Sequence, residues 1–250
     1  MDDSVWGETA PVLFPICGGL REDAFYHKGK RYNLDKHGFA PGKYYEVTWQ
    51  TDKALVMSIK SDEETRKIYP FEFVFSVKFE IKDGMLEISY TTENTGSETM
   101  YYSVGAHEGY ACPEGLEEYD LIFDERENLK HNMLEGSFMR HDTIPVETDG
   151  NVLHMKYSHM SNDSLVLCTL KSRAVNMINR STGKGVRVEF PDFRYLVLWS
   201  MQDAKLLCIE PWNGIPDRVD ADMELSHKEG IIALEKGAVQ TFVHRIIPIV

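Results

Sequence analysis

The sequence has few cysteines, and none of them are paired by spacing. Cys17, Cys112, Cys168 and Cys208 lie far apart, form no CxxC motif and sit mostly in apolar surroundings. Cysteines in such surroundings behave as free, buried thiols. The chain also lacks a basic N-terminal segment followed by an apolar stretch, the mark of a secretory signal. Both absences predict a cytoplasmic protein.

Long apolar runs and basic clusters are missing as well. No run approaches the ~20 residues needed to cross a bilayer, so we expect no membrane partner. The chain carries 27 Lys and Arg against 40 Asp and Glu, which gives a formal net charge of −13. Because that charge repels phosphate backbones, we expect no nucleic-acid partner. It also disfavours a strongly anionic substrate unless a local basic pocket exists.

Long stretches with helical periodicity are almost absent, and short β-type runs take their place. Runs rich in Val, Ile, Phe, Tyr and Thr alternate with Gly, Asn, Asp and Ser turn signals. Many antiparallel strands without repeated βα units favour a large all-β sandwich. With 250 residues of ordinary globular composition, we expect one domain spanning residues 1–250.

The clearest strand pair spans residues 70–94. Apolar and polar residues alternate over 70–82, which predicts a strand with one buried face. Asp83-Gly84 is a typical two-residue hairpin turn, and residues 85–94 are predicted to return as the antiparallel partner. Residues 98–107 are then predicted to add a third strand to this meander, with His107 at its end.

Weaker patterns predict the remaining elements. A helical turn or two is expected at residues 62–67, with Ser61 as N-cap and Glu64 completing a capping box. Further strands are predicted at residues 43–50, 54–60, 119–123, 165–170, 185–190, 195–201, 206–210 and 239–248.

Three segments combine a potential acid or base with residues that force an unusual backbone: 36–39 (KHGF), 104–110 (VGAHEGY) and 208–217 (CIEPWNGIPD). In the third, the predicted strand ends on Glu210, because Pro211 has no N–H to donate to a ladder. Trp212 follows with a flat apolar face and a donor N–H. Partial burial beside that indole would raise the pKa of Glu210 toward a range useful for a general base.

Taken singly, these residues also have ordinary structural interpretations. A Glu before Pro is commonly a solvated carboxylate, a His after Gly-Ala is commonly structural, and Trp199 could belong to the core. Asp192 is interpreted as a turn residue. The spacings of the other histidines fit no metal site, so we predict no metal and interpret them as surface residues: His131, His141, His154 and His159.

In order and spacing, the three segments and the WGETAPVLFPI segment (residues 6–16) resemble the aldose 1-epimerase family over nearly the whole chain. The resemblance implies an antiparallel β-supersandwich whose groove binds a monosaccharide and interconverts its α and β anomers. By the family's motif, Glu210 takes the proton of the C1 hydroxyl while His107 protonates the ring oxygen, and His37 assists by hydrogen bonding. No cofactor or metal is implied.

The resemblance also implies a set of sugar contacts, for which the candidates are Trp212, Arg21, Phe39, Tyr110 and Trp199. Two arginines usual in the family are replaced, by Gly19 and by Pro41. The strands that usually precede the segment at Trp6 are short or missing, and the unpaired sheet edge this would leave predicts a homodimer.

Three functions remain open from the sequence. The first is a mutarotase acting on a free hexose. The second is a hexose-6-phosphate 1-epimerase, which would need several Arg or Lys side chains at the groove to hold the phosphate. The third is a non-catalytic carbohydrate-binding protein of the same fold.

Overall fold

Apolar side chains that alternate along most of the strands point inward and form the interior. The computed structural model describes residues 6–250, in which antiparallel strands dominate. In chain order the strands are β1 (Ala24–His27), β2 (Lys30–Asn33), β3 (Glu46–Gln50), β4 (Ala54–Lys60), β5 (Phe73–Lys82), β6 (Met85–Asn94), β7 (Met100–Tyr102), β8 (Val104–Gly105), β9 (Glu108–Ala111), β10 (Tyr119–Phe123), β11 (Lys130–Glu135), β12 (Phe138–Pro145), β13 (Val152–His154), β14 (Ser164–Leu167), β15 (Ala174–Asn179), β16 (Gly185–Glu189), β17 (Tyr195–Trp199), β18 (Leu206–Asn213), β19 (Ile232–Leu234) and β20 (Val239–Ile249).

Helical structure within the described residues is short. One α-helix, α1, spans Glu63–Ile68. Single 3-10 turns lie at Arg21–Asp23, Ala40–Gly42, Leu116–Glu118, Tyr157–Met160 and Leu225–His227. None of the helices in residues 6–250 has the length and apolar character needed to span a membrane.

Two large sheets form the body of the molecule. One has nine strands in the order β13-β10-β15-β16-β20-β6-β5-β4-β3. The other has the order β12-β11-β14-β17-β18-β8, and β9 also pairs with β18. Apolar residues of both sheets share one core, in which Phe14 stacks on Phe75 with ring centroids 4.3 Å apart. The predicted all-β, antiparallel fold is confirmed.

Local signals predicted local structure well. The hairpin of β5 and β6 is confirmed, and both turn residues have positive φ, 51° at Asp83 and 79° at Gly84, as a type I′ turn requires. The short helix is confirmed too, but its predicted cap is wrong. Asp62, not Ser61, caps it, and Thr65 rather than Glu64 completes the capping box.

The predicted meander is wrong beyond its second strand. Residues 100–102 pair with β19 and residues 104–105 pair with β18, whereas the free side of β6 is taken by β20 over Val239–Ile246. The bends at residues 96–98, directly after β6, do not decide which strand pairs with it. The long C-terminal strand offers β6 an eight-residue ladder that three-residue β7 cannot match.

The prediction that Pro211 ends its strand is also wrong. β18 continues through Pro211 to Asn213, and Pro211 lies opposite Leu196 of β17. On the other side of β18, pairing with β9 stops at Ile209 and pairing with β8 resumes at Trp212. Within this gap the Ala106 N–H still donates to the Pro211 carbonyl, at 3.0 Å. Proline therefore opens one ladder locally instead of ending the strand.

Candidate active site

Strand β18 is buried on both faces, and its alternation divides its side chains between two environments. Leu207 and Ile209 belong to the main core between the sheets. Cys208, Glu210 and Trp212 project from the opposite face. The Glu210 carboxylate is thereby buried on a strand that is paired with β17.

His107 lies directly across the ladder from Glu210. The pairs Ile209–Glu108 and Trp212–Gly105 share one register, so counting inward from either side sets His107 against Glu210. Opposite residues of antiparallel strands share a face, with Cβ atoms about 5 Å apart. The ladder gap at Pro211 lies at this pair. Residues 103 positions apart in the sequence thus meet because two strand segments pair with β18.

The two side chains are in contact but are not hydrogen-bonded to each other. His107 Nε2 lies 3.3 Å from Glu210 Oε2, yet Glu210 Oε2 and His107 Nδ1 have no hydrogen-bond partner. The Glu210 side chain is 1% exposed and the His107 side chain 12% exposed. The pair is therefore almost dry, with its polar atoms free for a ligand.

Burial shifts both groups toward their neutral forms. It raises the pKa of Glu210 well above its ordinary value, helped by the nearby charge of Glu108 and opposed by Lys36. Burial also lowers the pKa of His107 to about 4. A neutral carboxylic acid that faces a neutral imidazole supplies one acid proton, which can pass between the two groups.

His37 is oriented by the backbone of residue 18. The Gly18 N–H donates to His37 Nδ1 at 3.1 Å, and the His37 N–H donates to the Gly18 carbonyl at 3.0 Å. Because Nδ1 accepts, the proton of the neutral ring resides on Nε2. Burial lowers the pKa of His37 to about 3, so at neutral pH His37 is a fixed, uncharged donor.

The backbone around His37 explains the KHGF segment. His37 has φ of 69°, and the following Gly38 has φ of 75°. A Cβ atom on Gly38 would lie 2.4 Å from the Phe14 carbonyl oxygen, so only glycine permits this approach. The close packing of Gly38 against Phe14 brings the His37 ring to 5.9 Å from the His107 ring and 5.5 Å from the Trp212 ring.

A cavity of about 550 Å³ opens over these groups, within the usual size range of small-ligand sites. Of the predicted site residues it is lined by His37, His107, Glu210, Trp199 and Trp212. Trp212 is 4% exposed, and its indole N–H donates to the Ala106 carbonyl at 3.1 Å. That N–H is therefore engaged by the protein, and Trp212 mainly supports the residues around it.

Three of the residues predicted to contact sugar lie outside this cavity. The Arg21 guanidinium donates to the Ala221 carbonyl, away from the cavity. Phe39 packs edge-on against Phe14 in the core. Tyr110 lies opposite Leu207 on β18 and packs against the core beneath the sheet. None of the three lines the cavity.

The cavity also contains residues that the sequence analysis did not select. Trp6 stacks on His107 with ring centroids 5.1 Å apart and planes inclined by 24°. Lys36 and Asp163 line the wall, with Lys36 Nζ 3.8 Å from Asp163 Oδ2. Lys36 could have been selected from the sequence, because it directly precedes His37. Asp163 could not, because it lies in an ordinary turn sequence. Pro41, where the family usually has arginine, lies at the cavity wall.

Known proteins match this chain over most of its length. The model of a family described as Aldose 1-epimerase matches residues 2–238. The plasmid form of protein LacX from Lactococcus lactis subsp. lactis is 32% identical over 241 residues, which cover 91% of this chain and 81% of LacX.

Solved structures are similar over the whole fold. A galactose mutarotase related enzyme from Lactobacillus acidophilus is 31% identical with a TM-score of 0.93, covering 99% of this chain and 85% of that one. A galactose mutarotase-like protein from Lactobacillus casei ATCC 334 has a TM-score of 0.94 at 24% identity, covering 99% and 87% of the respective chains.

Proposed function

This chain belongs to the aldose 1-epimerase family, and from that premise we propose that it interconverts the α and β anomers of a free hexose. The observation that carries the proposal is the buried His107–Glu210 pair, 3.3 Å apart at the base of a sugar-sized cavity. Ring opening needs one group to remove the C1 hydroxyl proton and another to protonate the ring oxygen.

The pair can do both because, besides the N–H that a neutral imidazole keeps, it carries one acid proton that either group can hold. With the proton on His107, the Glu210 carboxylate removes the C1 hydroxyl proton while His107 protonates the ring oxygen. The bond between C1 and the ring oxygen breaks, and C1 becomes a carbonyl. Rotation about C1–C2 followed by closure on the other carbonyl face reverses both transfers. The pair returns to its starting state with no net gain of protons.

Reaching that starting state requires the proton to move from Glu210 to His107. Burial alone favours the neutral arrangement, but Lys36 opposes the rise in the pKa of Glu210. A sugar hydroxyl at Glu210 Oε2, which has no hydrogen-bond partner of its own, would further stabilise the carboxylate. His37 would donate from Nε2 to an oxygen near the reacting centre, whichever direction the reaction takes.

The charges at the cavity favour a neutral sugar over a sugar phosphate. Among the described residues that line the cavity, Lys36 is the only Lys or Arg, and Asp163 accompanies it. A phosphate is usually held by several cationic or backbone donors. An ion pair at the wall suits hydroxyl groups better, since it offers both donors and acceptors.

We also propose that the enzyme works in the cytoplasm as a homodimer. All four cysteines are free, which favours a reducing compartment. Strand β3 presents the exposed apolar side chains of Val47 and Trp49 at the edge of the nine-stranded sheet, which favours pairing with a second copy.

Saturation-transfer NMR of anomer exchange tests the proposal with glucose, galactose and their 6-phosphates. We expect acceleration of a neutral hexose, a fall of about 10² or more in Glu210→Gln and His107→Asn, and a double variant scarcely slower than either. Sugar binding should persist in all three. Preferred turnover of a 6-phosphate would favour the hexose-phosphate epimerase, and binding without acceleration would favour the non-catalytic protein.

A further inference from the structure

A third potential metal ligand lies beside the acid/base pair. Cys208 precedes Glu210 by two residues on β18, so both side chains project from the same face. One ligand atom each from His107, Cys208 and Glu210 lie within 4.8 Å of one another. The thiol is fully buried and does not line the cavity, whereas its two neighbours do.

Two polar atoms of this group, Glu210 Oε2 and His107 Nδ1, have no hydrogen-bond partner. Glu210 is 1% exposed, and its Oε2 faces His107 without a hydrogen-bond partner. Buried polar atoms without partners are uncommon and call for a ligand or a function. Trp6 and Trp199 pack against the small apolar cluster that Cys208 forms with Ala204 and Leu206.

We propose that His107, Cys208 and Glu210 bind a thiophilic divalent cation such as Zn²⁺, and that the bound ion reversibly blocks the acid/base pair. The donor set of one thiolate, one imidazole and one carboxylate is the chemistry that Zn²⁺ prefers. The inhibitory consequence rests on the proposed function, whereas the binding itself does not. On binding, the thiol proton and the carboxyl proton pass to water.

The geometry requires only a small contraction. Tetrahedral zinc places its ligand atoms about 3.5 Å apart. His107 Nε2 and Glu210 Oε2 already lie 3.3 Å apart, and since all three ligand atoms lie within 4.8 Å, the remaining closure of up to about 1.3 Å falls on the Cys208 sulfur. His107 and Glu210 both border the cavity, which leaves the fourth position for water. The formal net charge of −13 also concentrates cations around the protein.

The sequence could not reveal this site from spacing, since His107 and Cys208 are distant and meet only through the pairing of β9 with β18. Other histidine–carboxylate contacts in the described chain include exposed pairs. Examples are His141 with Asp220 and His227 with Asp222. These pairs lack a sulfur ligand, so a thiolate signal distinguishes the proposed site from them.

Titration of the full chain with Co²⁺ and Zn²⁺ tests the proposal without relying on activity. Co²⁺ bound by a thiolate gives a near-ultraviolet charge-transfer band, and calorimetry gives the Zn²⁺ affinity and stoichiometry. We expect one ion per chain in the wild type, and at least about tenfold weaker binding without the band in Cys208→Ala and Cys208→Ser. Cys168→Ser, which leaves the proposed ligands intact, should bind like the wild type.

Anomer exchange then separates the two proposals. Wild-type turnover should fall in proportion to Zn²⁺ occupancy and recover with a chelator, while Cys208→Ala keeps its metal-free rate and resists Zn²⁺. A wild type without the band, or Cys208 variants that bind Zn²⁺ as tightly as the wild type, would overturn the metal site. Metal bound through Cys208 in a protein without exchange activity would support the site and reject the proposed function.

Discussion

Glu108 and His107 are neighbours in sequence but face opposite sides of the sheet. His107 projects into the cavity beside Glu210. The Glu108 carboxylate lies in the interior, 3.4 Å from Nε2 of fully buried His244, and it accepts a hydrogen bond from the Tyr90 hydroxyl at 3.5 Å. We therefore expect the two glutamates near His107 to have different tasks, Glu210 a chemical one and Glu108 a structural one.

This division predicts opposite effects of the same substitution. Glu108→Gln should change the maximal exchange rate less than about threefold, but it should lower the free energy of unfolding by about 1–3 kcal/mol, because the amide replaces one of the two acceptor oxygens that face Tyr90 and His244 in the interior. Glu210→Gln should nearly abolish exchange and leave the protein at least as stable. Chemical denaturation and NMR exchange rates measure both. A large rate loss in stable Glu108→Gln would contradict the division.

Burial of Glu210 also makes stability depend on pH. Its pKa is raised in the folded state, so its contribution to stability is fully present below the unfolded pKa of about 4.3 and is lost as pH rises toward the folded pKa. Glu210→Gln removes this titration. The stability advantage of the variant should grow by up to about 1.4 kcal/mol per pH unit between about pH 5 and about pH 7.

Urea unfolding of wild type and Glu210→Gln at several pH values measures that difference. Glu229→Gln is a suitable control, because Glu229 is a partly exposed partner of Arg218 and does not line the cavity. A constant difference between Glu210→Gln and wild type across this pH range would mean that Glu210 is ionised when folded.

At the scale of elements, β8 positions the site through a glycine. A Cβ atom on Gly105 would lie 2.7 Å from Trp212 Cδ1 and 2.9 Å from Cys17 Sγ. Gly105→Ala must therefore displace the indole whose N–H holds the Ala106 carbonyl, next to His107. We expect a loss of about 1–3 kcal/mol in stability and a ten- to hundredfold slower exchange.

Gly42→Ala provides the matched control. Gly42 is exposed and does not need positive φ, and a Cβ atom added there would meet no other atom within 4 Å. Its substitution should therefore stay within about 0.5 kcal/mol of wild type. Thermal unfolding and NMR exchange are measured for both variants. Wild-type exchange in Gly105→Ala would show that the indole is not needed to hold His107.

The sequence predicted the elements better than their partners. Asp83-Gly84 specified a hairpin because turn chemistry acts between adjacent residues, whereas nothing local to β6 identified β20 as its neighbour. Which side of the sheet each residue of 104–110 faces is likewise set by pairing with β18, which is distant in the sequence. His37, His107 and Glu210 were selectable from short motifs.

The residues of the cavity wall were harder to predict than His37, His107 and Glu210. Trp6 and Asp163 reach the cavity from loops whose path depends on packing, and their sequences carry no chemical signal. Arg21 was selected because an arginine nearby in sequence could replace a missing one. The turn at Arg21–Asp23 instead directs its guanidinium toward the Ala221 carbonyl.

At the scale of the whole molecule, the nine-stranded sheet has an exposed edge strand, β3. Strand β3 pairs with β4 alone, and all five of its residues are exposed. It contains neither Lys nor Pro, the residues that commonly protect an edge strand. Trp49 is 48% exposed and Val47 52% exposed, and the preceding Tyr44 is fully exposed. Such an edge can accept another strand.

We therefore expect two copies to associate by antiparallel pairing of β3 with β3. Sedimentation analysis should give a dimer for the wild type and a monomer for Trp49→Lys, because a charge at this edge both removes apolar contact and opposes pairing. Ile81→Lys is the matched control, since Ile81 is 60% exposed but lies on β5, away from the edge. It should remain dimeric.

Electrostatics and activity make this prediction more specific. Each chain carries a formal net charge of −13, so association should strengthen as added salt screens the repulsion between copies. The cavity is formed around β18 in the other sheet, and no residue of β3 lines it. Monomeric Trp49→Lys should thus retain the wild-type exchange rate per chain. A wild type that stays monomeric at high salt would exclude β3 as a self-association edge.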